Sequence, residues 1–157
     1  MALSRLLYYS ENQIVRGDSS VLNQLGQILS TSNRNNGAVG ITGSLIFDDL
    51  WFMQVLEGDR AAVWRKFERI WQDERHANVV LVEMREVEER LFGNWWMGLA
   101  MHNARTHTAF APHLKKGRLR PPEMSAAALL QLMIDVAKLG LSREVKAKAA
   151  AEFDFII

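Results

Sequence analysis

The fold is decided by the stretch Trp51-Phe52-Met53-Gln54-Val55-Leu56, an apolar strand with one carboxamide at its centre. Side chains alternate between the two faces of a strand, so Gln54 shares a face with Phe52 and Leu56, which belong in a core. A buried carboxamide that is left unpaired costs about 1–3 kcal/mol, so Gln54 needs polar partners. Tyr8, in the apolar run near the start of the chain, and the pair Asn35-Asn36 are polar residues at comparable places. Together these residues predict a slot that holds a polar heterocycle by its edge.

The pattern around this strand predicts an α+β fold. Strands are expected at residues 4–10, 41–47, 51–56, 79–84 and 95–101, and the second and third form a hairpin around Asp48-Asp49. A first helix follows the capping residues 18–20 and ends near residues 34–36, with Gly37 beyond. A second helix opens at Gly58-Asp59 and carries the apolar stripe Val63, Trp64, Phe67 and Ile70. The order βαββαβ is ferredoxin-like, with both helices on one sheet face and a fifth strand extending the sheet.

The part of the chain after the sheet predicts a helical extension. Residues 102–120 look irregular, and Pro121-Pro122 indicate the start of another helix that stops at Gly140. Its apolar stripe is expected to cover the second sheet face or to form an oligomer seam, and comprises Leu129, Leu130, Met133, Ile134 and Ala137. The expected organisation is a core at residues 1–102, a connector at 103–120 and a cap or output segment at 121–157.

Composition excludes several classes of function. The chain has 157 residues, 48% hydrophobic content and a formal net charge of +1, which argues against a general nucleic-acid binder. It contains no cysteine, so disulfides, thiolate metal sites and cysteine nucleophiles are excluded and a reducing cytoplasm is expected. No sequence window approaches the 18 or more apolar residues of a membrane span.

Five collinear segments together carry a family resemblance. They are Arg5-Leu6-Leu7-Tyr8-Tyr9-Ser10, Ser32-Asn33-Arg34-Asn35-Asn36 with Gly40-Ile41-Thr42-Gly43, Phe52-Met53-Gln54-Val55-Leu56-Glu57-Gly58, Asp73-Glu74-Arg75-His76 and Phe92-Gly93-Asn94-Trp95-Trp96-Met97. In this order the segments closely resemble the BLUF domain, a flavin-based blue-light sensor, in its short stand-alone form. Any one segment would be weak evidence, because Tyr8 alone is usually a core tyrosine and Asn35-Asn36-Gly37 alone is a helix end.

The resemblance implies a flavin held between the first two helices. FAD is the flavin that the family favours, and FMN and riboflavin stay open. By resemblance Tyr8 and Gln54 are the photochemical pair, and Trp95 and Met97 are the fifth-strand residues that act in signalling. The remaining implied flavin contacts are Asn35 and Asn36 at the pyrimidine edge, pocket-wall residues Ile28, Ser32, Phe52 and Ile70, and Arg75 and His76 near the ribityl chain and phosphates.

The chemistry of these residue types agrees with the implied roles. A phenol is among the few side chains that can supply an electron and then a proton to a photoexcited flavin. Glutamine suits a relay, because its amide is a donor at one end and an acceptor at the other, and turning or tautomerising it reverses that pattern. A new hydrogen bond to the flavin C4 carbonyl would give a small red shift without a covalent adduct.

Partners and alternatives follow from the same observations. The resemblance implies a non-enzymatic photoreceptor with an effector protein in trans, either a cyclic-nucleotide or cyclic-dinucleotide enzyme or a transcription regulator, and a homo-oligomer without nucleic-acid or membrane partners. A flavin-dependent oxidoreductase stays open as an alternative, although the chain has no Gly-x-Gly-x-x-Gly fingerprint. A cofactor-free ferredoxin-like interaction module also stays open. It would explain the fold but not the combination of Gln54, Tyr8 and Asn36.

Overall fold

The computed structural model describes residues 2–14, 34–93, 98–101 and 106–139. The elements in chain order are β1 Leu3–Asn12, α1 (residues 34–39, the described end of a helix), β2 Thr42–Phe47, β3 Trp51–Asp59, α2 Arg60–Gln72, β4 His76–Glu86, β5 Gly98–Met101, α3 His107–Phe110 and α4 Ala126–Lys138. Short 3-10 helices at Ala111–His113 and Pro121–Glu123 lie between α3 and α4.

The five strands form one sheet in the order β4-β1-β3-β2-β5. The pairs β4–β1, β1–β3 and β3–β2 are antiparallel, which confirms the predicted ferredoxin-like arrangement. Strand β5 pairs in parallel with β2, from Ser44 opposite Gly98 to Phe47 opposite Met101. The sheet therefore places β1 and β3, the strands that carry Tyr8 and Gln54, side by side near its centre.

The β2–β3 hairpin is held by its turn and by close approach of the strands. The Asp48 carboxylate accepts hydrogen bonds from the backbone N–H groups of Leu50 at 2.8 Å and Trp51 at 2.7 Å. At Gly43 an added Cβ would lie 2.0 Å from the Val55 carbonyl oxygen, so only glycine permits this strand separation. These features fix the register in which Leu45 lies opposite Gln54.

Each sheet face has its own apolar core. The first face packs against Val63 and Phe67 of α2. The N-cap of this helix is Asp59, whose side chain accepts from the Ala62 N–H. The sheet residues of this first-face core include Leu6, Tyr8, Leu45, Phe52 and Leu56. The second face packs against α3 and α4, and its core includes Leu7, Ile46, Met53, Val55, Phe110, Leu129, Leu132, Met133 and Val136. Alternation along β3 therefore puts Gln54 on the α2 side and its neighbours Met53 and Val55 on the α4 side.

The end of α1 differs from the sequence prediction. The helix continues through Gly37 to residue 39, and Gly40 follows with φ +68°. The Ile41 N–H bonds to the Asn36 carbonyl at 2.9 Å and the Gly40 N–H to the Gly37 carbonyl at 3.5 Å, a Schellman-type ending. The sequence predicts that the helix ends before Gly37, but it is Gly40 that adopts the left-handed conformation that ends a helix. Asn35 and Asn36 consequently lie inside a regular turn of helix.

The C-terminal helix begins later than predicted, and its buried stripe is rotated. Pro121–Glu123 form a separate 3-10 turn, and α4 begins after Ser125, whose hydroxyl accepts from the Ala128 N–H at 3.1 Å. Leu132 and Val136 are fully buried, whereas the predicted stripe members Leu130, Ile134 and Ala137 lie at the margin of the core. Most side chains of α4 are apolar, so more than one face of the helix could be buried. Contact with the sheet decides which of these faces is buried. Trp64 of the predicted α2 stripe is likewise 42% exposed.

Candidate functional site

Tyr8 and Gln54 form the centre of the site. They lie directly opposite each other in the antiparallel β1–β3 ladder. The Tyr8 hydroxyl donates to Gln54 Oε1 at 2.5 Å, and both side chains are buried, with exposures of 0% and 3%. Burial, followed by the negative charge of Asp73, raises the pKa of Tyr8 far above its usual value. The phenol is therefore a neutral donor whose proton points at the glutamine carbonyl.

Aromatic rings enclose this pair from the helix side and from β4. The Tyr8 ring centroid lies 5.5 Å from that of Phe67 and 6.2 Å from that of His76. Phe52 lies beneath the site, with its ring 4.6 Å from the His76 ring. The Tyr8 ring is therefore packed among aromatic side chains and is fully buried.

His76, the first residue of β4, is held in its neutral form. Its Nδ1 and the Ser10 hydroxyl are joined by a hydrogen bond of 2.7 Å. Burial lowers the pKa of His76 to about 4, partly opposed by the carboxylate of Asp73. The imidazole therefore contributes hydrogen-bonding and aromatic surface to the site without a positive charge.

Asp73 and Arg75 form a charged pair beside His76. The Arg75 Nε donates to both oxygens of Asp73, at 2.9 and 3.1 Å, and a terminal guanidinium nitrogen donates to Oδ2. These hydrogen bonds lower the pKa of Asp73 despite its partial burial. The turn between α2 and β4 is fixed by the same carboxylate, which also accepts from the Arg75 backbone N–H.

Two adjoining clefts lie between α1, α2 and the sheet. The first, of about 140 Å³, is lined by Tyr8, Asn35, Leu45, Gln54, Lys66, Arg69, Ile70, Asp73, Arg75 and His76. The second, of about 200 Å³, lies under the last turn of α1 and is lined by Asn35, Asn36, Ala38, Val39, Ile41, Ala62, Arg65, Lys66 and Arg69. The clefts share Asn35, Lys66 and Arg69, so they are two ends of one site.

The structure brings most of the sequence-predicted site residues together. Six of them line the first cleft: Tyr8, Gln54, Asn35, Ile70, Arg75 and His76. Asn36 is fully buried beside the second cleft, and Phe52 lies in the core beneath His76. Ile28, Ser32, Trp95 and Met97 lie outside the described residues.

Several lining residues were missed by the sequence reasoning. Leu45 is missed because the predicted hairpin did not specify a register, and the observed β2–β3 register puts it opposite Gln54. On α2, Lys66 lies three residues after Val63 and Arg69 three residues after Lys66, and Asp73, the C-terminal cap, lies three residues after Ile70. That helical spacing was the available signal, since residues three apart share a helix face.

Comparison with known proteins settles the family. A family model described as sensors of blue-light using FAD matches residues 3–98. The chain belongs to the BLUF family. It is therefore a blue-light sensor of a family that uses FAD. A solved structure, BlsA in its photo-activated state, has 28% identity and a TM-score of 0.74 to this BLUF chain, covering 85% of this chain and 94% of BlsA.

Two curated proteins contain a similar BLUF segment within much longer chains. Photoactivated adenylate cyclase subunit beta from Euglena longa is 38% identical over 72 residues, which are 46% of this chain and 8% of that protein. The blue light- and temperature-regulated antirepressor BluF from Escherichia coli (strain K12) is 32% identical over 105 residues, 67% of this chain and 25% of the relative. The BLUF chain thus spans a quarter or less of the length of these relatives.

The residues of the cleft fit a flavin. A flavin ring system is planar and apolar on its faces, and its pyrimidine side carries alternating donors and acceptors. Leu45 and Ile70 provide apolar walls, whereas Gln54 and Asn35 place amides, which combine donors and acceptors, inside the same cleft.

No helix in the described part of the chain is long and apolar enough to cross a membrane. Within the same residues no group of acidic or histidine side chains could hold a metal ion.

Proposed function

We propose that this BLUF chain is a non-enzymatic photoreceptor that signals by rearranging the hydrogen bonds of Tyr8 and Gln54 around a bound flavin. One observation carries the proposal, the direct bond from the Tyr8 hydroxyl to Gln54 Oε1 at 2.5 Å. Because the Gln54 oxygen accepts from Tyr8, its NH₂ group donates in another direction. Turning or tautomerising the amide would exchange the positions of donor and acceptor. In this proposal the pair switches between the observed hydrogen-bonded arrangement and a second one, and the switch carries the signal.

The proposed roles of the side chains follow from the site. When bound, the flavin supplies the blue-light chromophore and, once excited, a one-electron acceptor. Tyr8 would be the residue that supplies an electron and its hydroxyl proton, the proton by way of the Gln54 amide to which the hydroxyl is bonded, and it would recover both, so that the net redox change is zero. Gln54 is left in its altered orientation or tautomer. Asn35 and Asn36 would hold the pyrimidine edge, and Arg75 and His76 the ribityl side.

Absorption spectroscopy tests this function directly. The purified holoprotein should be yellow, and blue light without any reductant should produce a small red shift that reverses in the dark. A colourless protein that takes up no flavin would favour the cofactor-free interaction module. Bleaching that requires a reductant or a second substrate would favour the oxidoreductase.

The output is proposed to act on a separate effector protein. The relatives named as an adenylate cyclase and as an antirepressor support a cyclic-nucleotide enzyme or a transcription regulator as the class of effector, with cyclic-dinucleotide enzymes as the third candidate class. Within this proposal the core is residues 1–102, the connector 103–120 and the output segment 121–157. The protein is further proposed to be a homo-oligomer and to act in the cytoplasm. Light scattering after size-exclusion chromatography tests the oligomeric state.

A further inference from the structure

Arg90 binds the backbone at the point where the end of α1 meets the sheet. Its guanidinium donates to the carbonyl oxygen of Gly40 at 2.7 Å, to the hydroxyl oxygen of Thr42 at 2.8 Å and to the carbonyl oxygen of Glu57 at 3.0 Å. These acceptors belong to the turn after α1, to β2 and to β3. The half-buried arginine itself lies between β4 and β5, so one side chain connects four segments of the chain.

The bond to Gly40 concerns the flavin cleft directly. Gly40 has the left-handed φ of +68° that ends α1. The residues on either side of it, Val39 and Ile41, line the second cleft together with Asn35 and Asn36. A cation beside the C-terminus of a helix is stabilising, because the last carbonyl groups carry partial negative charge. Arg90 therefore holds the turn that immediately follows the two asparagines.

The surroundings of Arg90 keep its position fixed. The carboxylate of Glu57 accepts from the backbone N–H groups of Leu91 and Phe92, so the backbone next to Arg90 is anchored to β3. That carboxylate also accepts from Arg5, and Arg90 forms no ion pair within the described part of the chain. All three acceptors of Arg90 are neutral. Its planar guanidinium offers several donors in a rigid arrangement, which a lysine does not reproduce.

We propose that Arg90 is a positioning residue of the photocycle, which acts through Asn35 and Asn36 by fixing the turn that follows them. This inference rests on the proposed function, in which these two amides hold the pyrimidine edge of the flavin. The strength of a hydrogen bond depends on its geometry, so a looser turn weakens the bonds to that edge. The light-induced arrangement of Gln54 uses a bond to the same edge, so it should also become less stable.

Vibrational and kinetic measurements on the holoprotein test the inference. Arg90→Met keeps a long aliphatic side chain and removes every donor. In this variant we expect the C4 carbonyl stretch of the resting flavin to move to higher wavenumber. The light-induced state should decay in the dark about fivefold faster, as for the loss of one hydrogen bond. Thr42→Val removes only one of the three acceptors and should stay close to wild type in both measurements.

Two further variants separate positioning from a general loss of stability. Leu119→Ala opens a cavity in the second-face core and should lower the free energy of unfolding without changing the carbonyl stretch or the decay. Arg90→Lys keeps the charge but not the donor arrangement, so its decay should be intermediate. A wild-type stretch and decay in Arg90→Met would overturn the inference, as would equal changes in Leu119→Ala. Where Arg90→Met does not fold, Arg90→Lys decides, and wild-type behaviour in it would overturn the inference.

The proposed function is tested separately on the wild-type sample. If the wild type binds flavin but shows no light-induced red shift, the photoreceptor mechanism fails, and the carbonyl stretch of the resting flavin still tests the role of Arg90. If the red shift is present and Arg90→Met matches wild type in both measurements, the role of Arg90 fails alone.

Discussion

Tyr8 and Gln54 lie opposite each other in the β1–β3 register, and the Tyr8 hydroxyl also donates a hydrogen bond to Gln54 Oε1. The backbone ladder therefore fixes the distance between the two side chains, and neither depends on a loop for its position. Since β3 also carries Met53 and Val55 into the second-face core, the strand connects the flavin cleft with the packing of α4. This arrangement is the basis for the predictions on photochemistry and output.

Tyr8→Phe should retain flavin and lose the light-induced red shift. The substitution keeps the ring that packs against Phe67 but removes the hydroxyl, so the electron and proton donor is gone while packing survives. Loss of the bond to Gln54 should also lower the free energy of unfolding by about 1–2 kcal/mol. Absorption spectra before and after blue light check the outcome. A normal photocycle in this variant would assign the donor role to another residue.

Gln54→Leu should keep the flavin and abolish the shift. Leucine has a similar volume but neither hydrogen-bonding end, so the two arrangements of the amide no longer exist. The same difference spectrum, with the flavin content measured after denaturation, is the check. Gln54→Glu is less informative because a carboxyl group has a different proton inventory. A reversible shift in Gln54→Leu would show that the relay model is wrong for this chain.

The stability of the holoprotein should fall on acidification because of His76. Its folded-state pKa of about 4 lies below the ordinary value of 6.5, so the unfolded chain binds the proton more strongly between these values. Stability should therefore be full above pH 6.5 and decline as the pH falls towards 4. Asp73, whose pKa is lowered from 3.8, contributes only at lower pH.

Denaturant unfolding of wild type and His76→Phe across this window measures the contribution. Phenylalanine keeps an aromatic ring beside Phe52 and cannot bind a proton, so the slope of unfolding free energy against pH should flatten in the variant. Equal slopes in the two proteins would assign the pH dependence to other groups.

Glu57→Gln should strongly destabilise the fold. The fully buried carboxylate accepts from Arg5 Nε at 2.8 Å and from the backbone N–H groups of Leu91 and Phe92, each at 3.0 Å. Removing its charge leaves Arg5, which is only 9% exposed, without its counter-ion. We expect the free energy of unfolding to fall by about 3–5 kcal/mol, as for other broken buried ion pairs. Exposed Glu86→Gln on β4 is the control, and similar losses in both variants would contradict a special role for Glu57.

Met97→Ala should separate the optical change from the output. Met97 lies outside the described residues, but it directly precedes β5, which pairs with β2, and α4 packs on the second face of that sheet. A switch gap of a few kcal/mol is enough for the Gln54 rearrangement to bias the packing of α4. The variant should keep its red shift while light-dependent hydrogen exchange of α4 disappears. Equal light-induced exchange in both proteins would rule out this route and assign the output to the flavin-facing helices.

The sequence by itself determined the element order and the faces of the strands. Period-two alternation is a property of the strand backbone, so Gln54 could be placed with Phe52 and Leu56 before any contact was known. The five collinear segments then identified the family and most of the cleft, because each segment places its residues through local structure.

Only the tertiary structure decided which distant residues meet. The direct bond from Tyr8 to Gln54 depends on the β1–β3 register, and Lys66 joins the site because α2 lies over that sheet face. The buried stripe of α4, with Leu132 and Val136 inward, was likewise set by contact with the second face. A local pattern specifies which faces of an element are apolar, but when several are apolar the shape of the opposing surface selects the one that is buried.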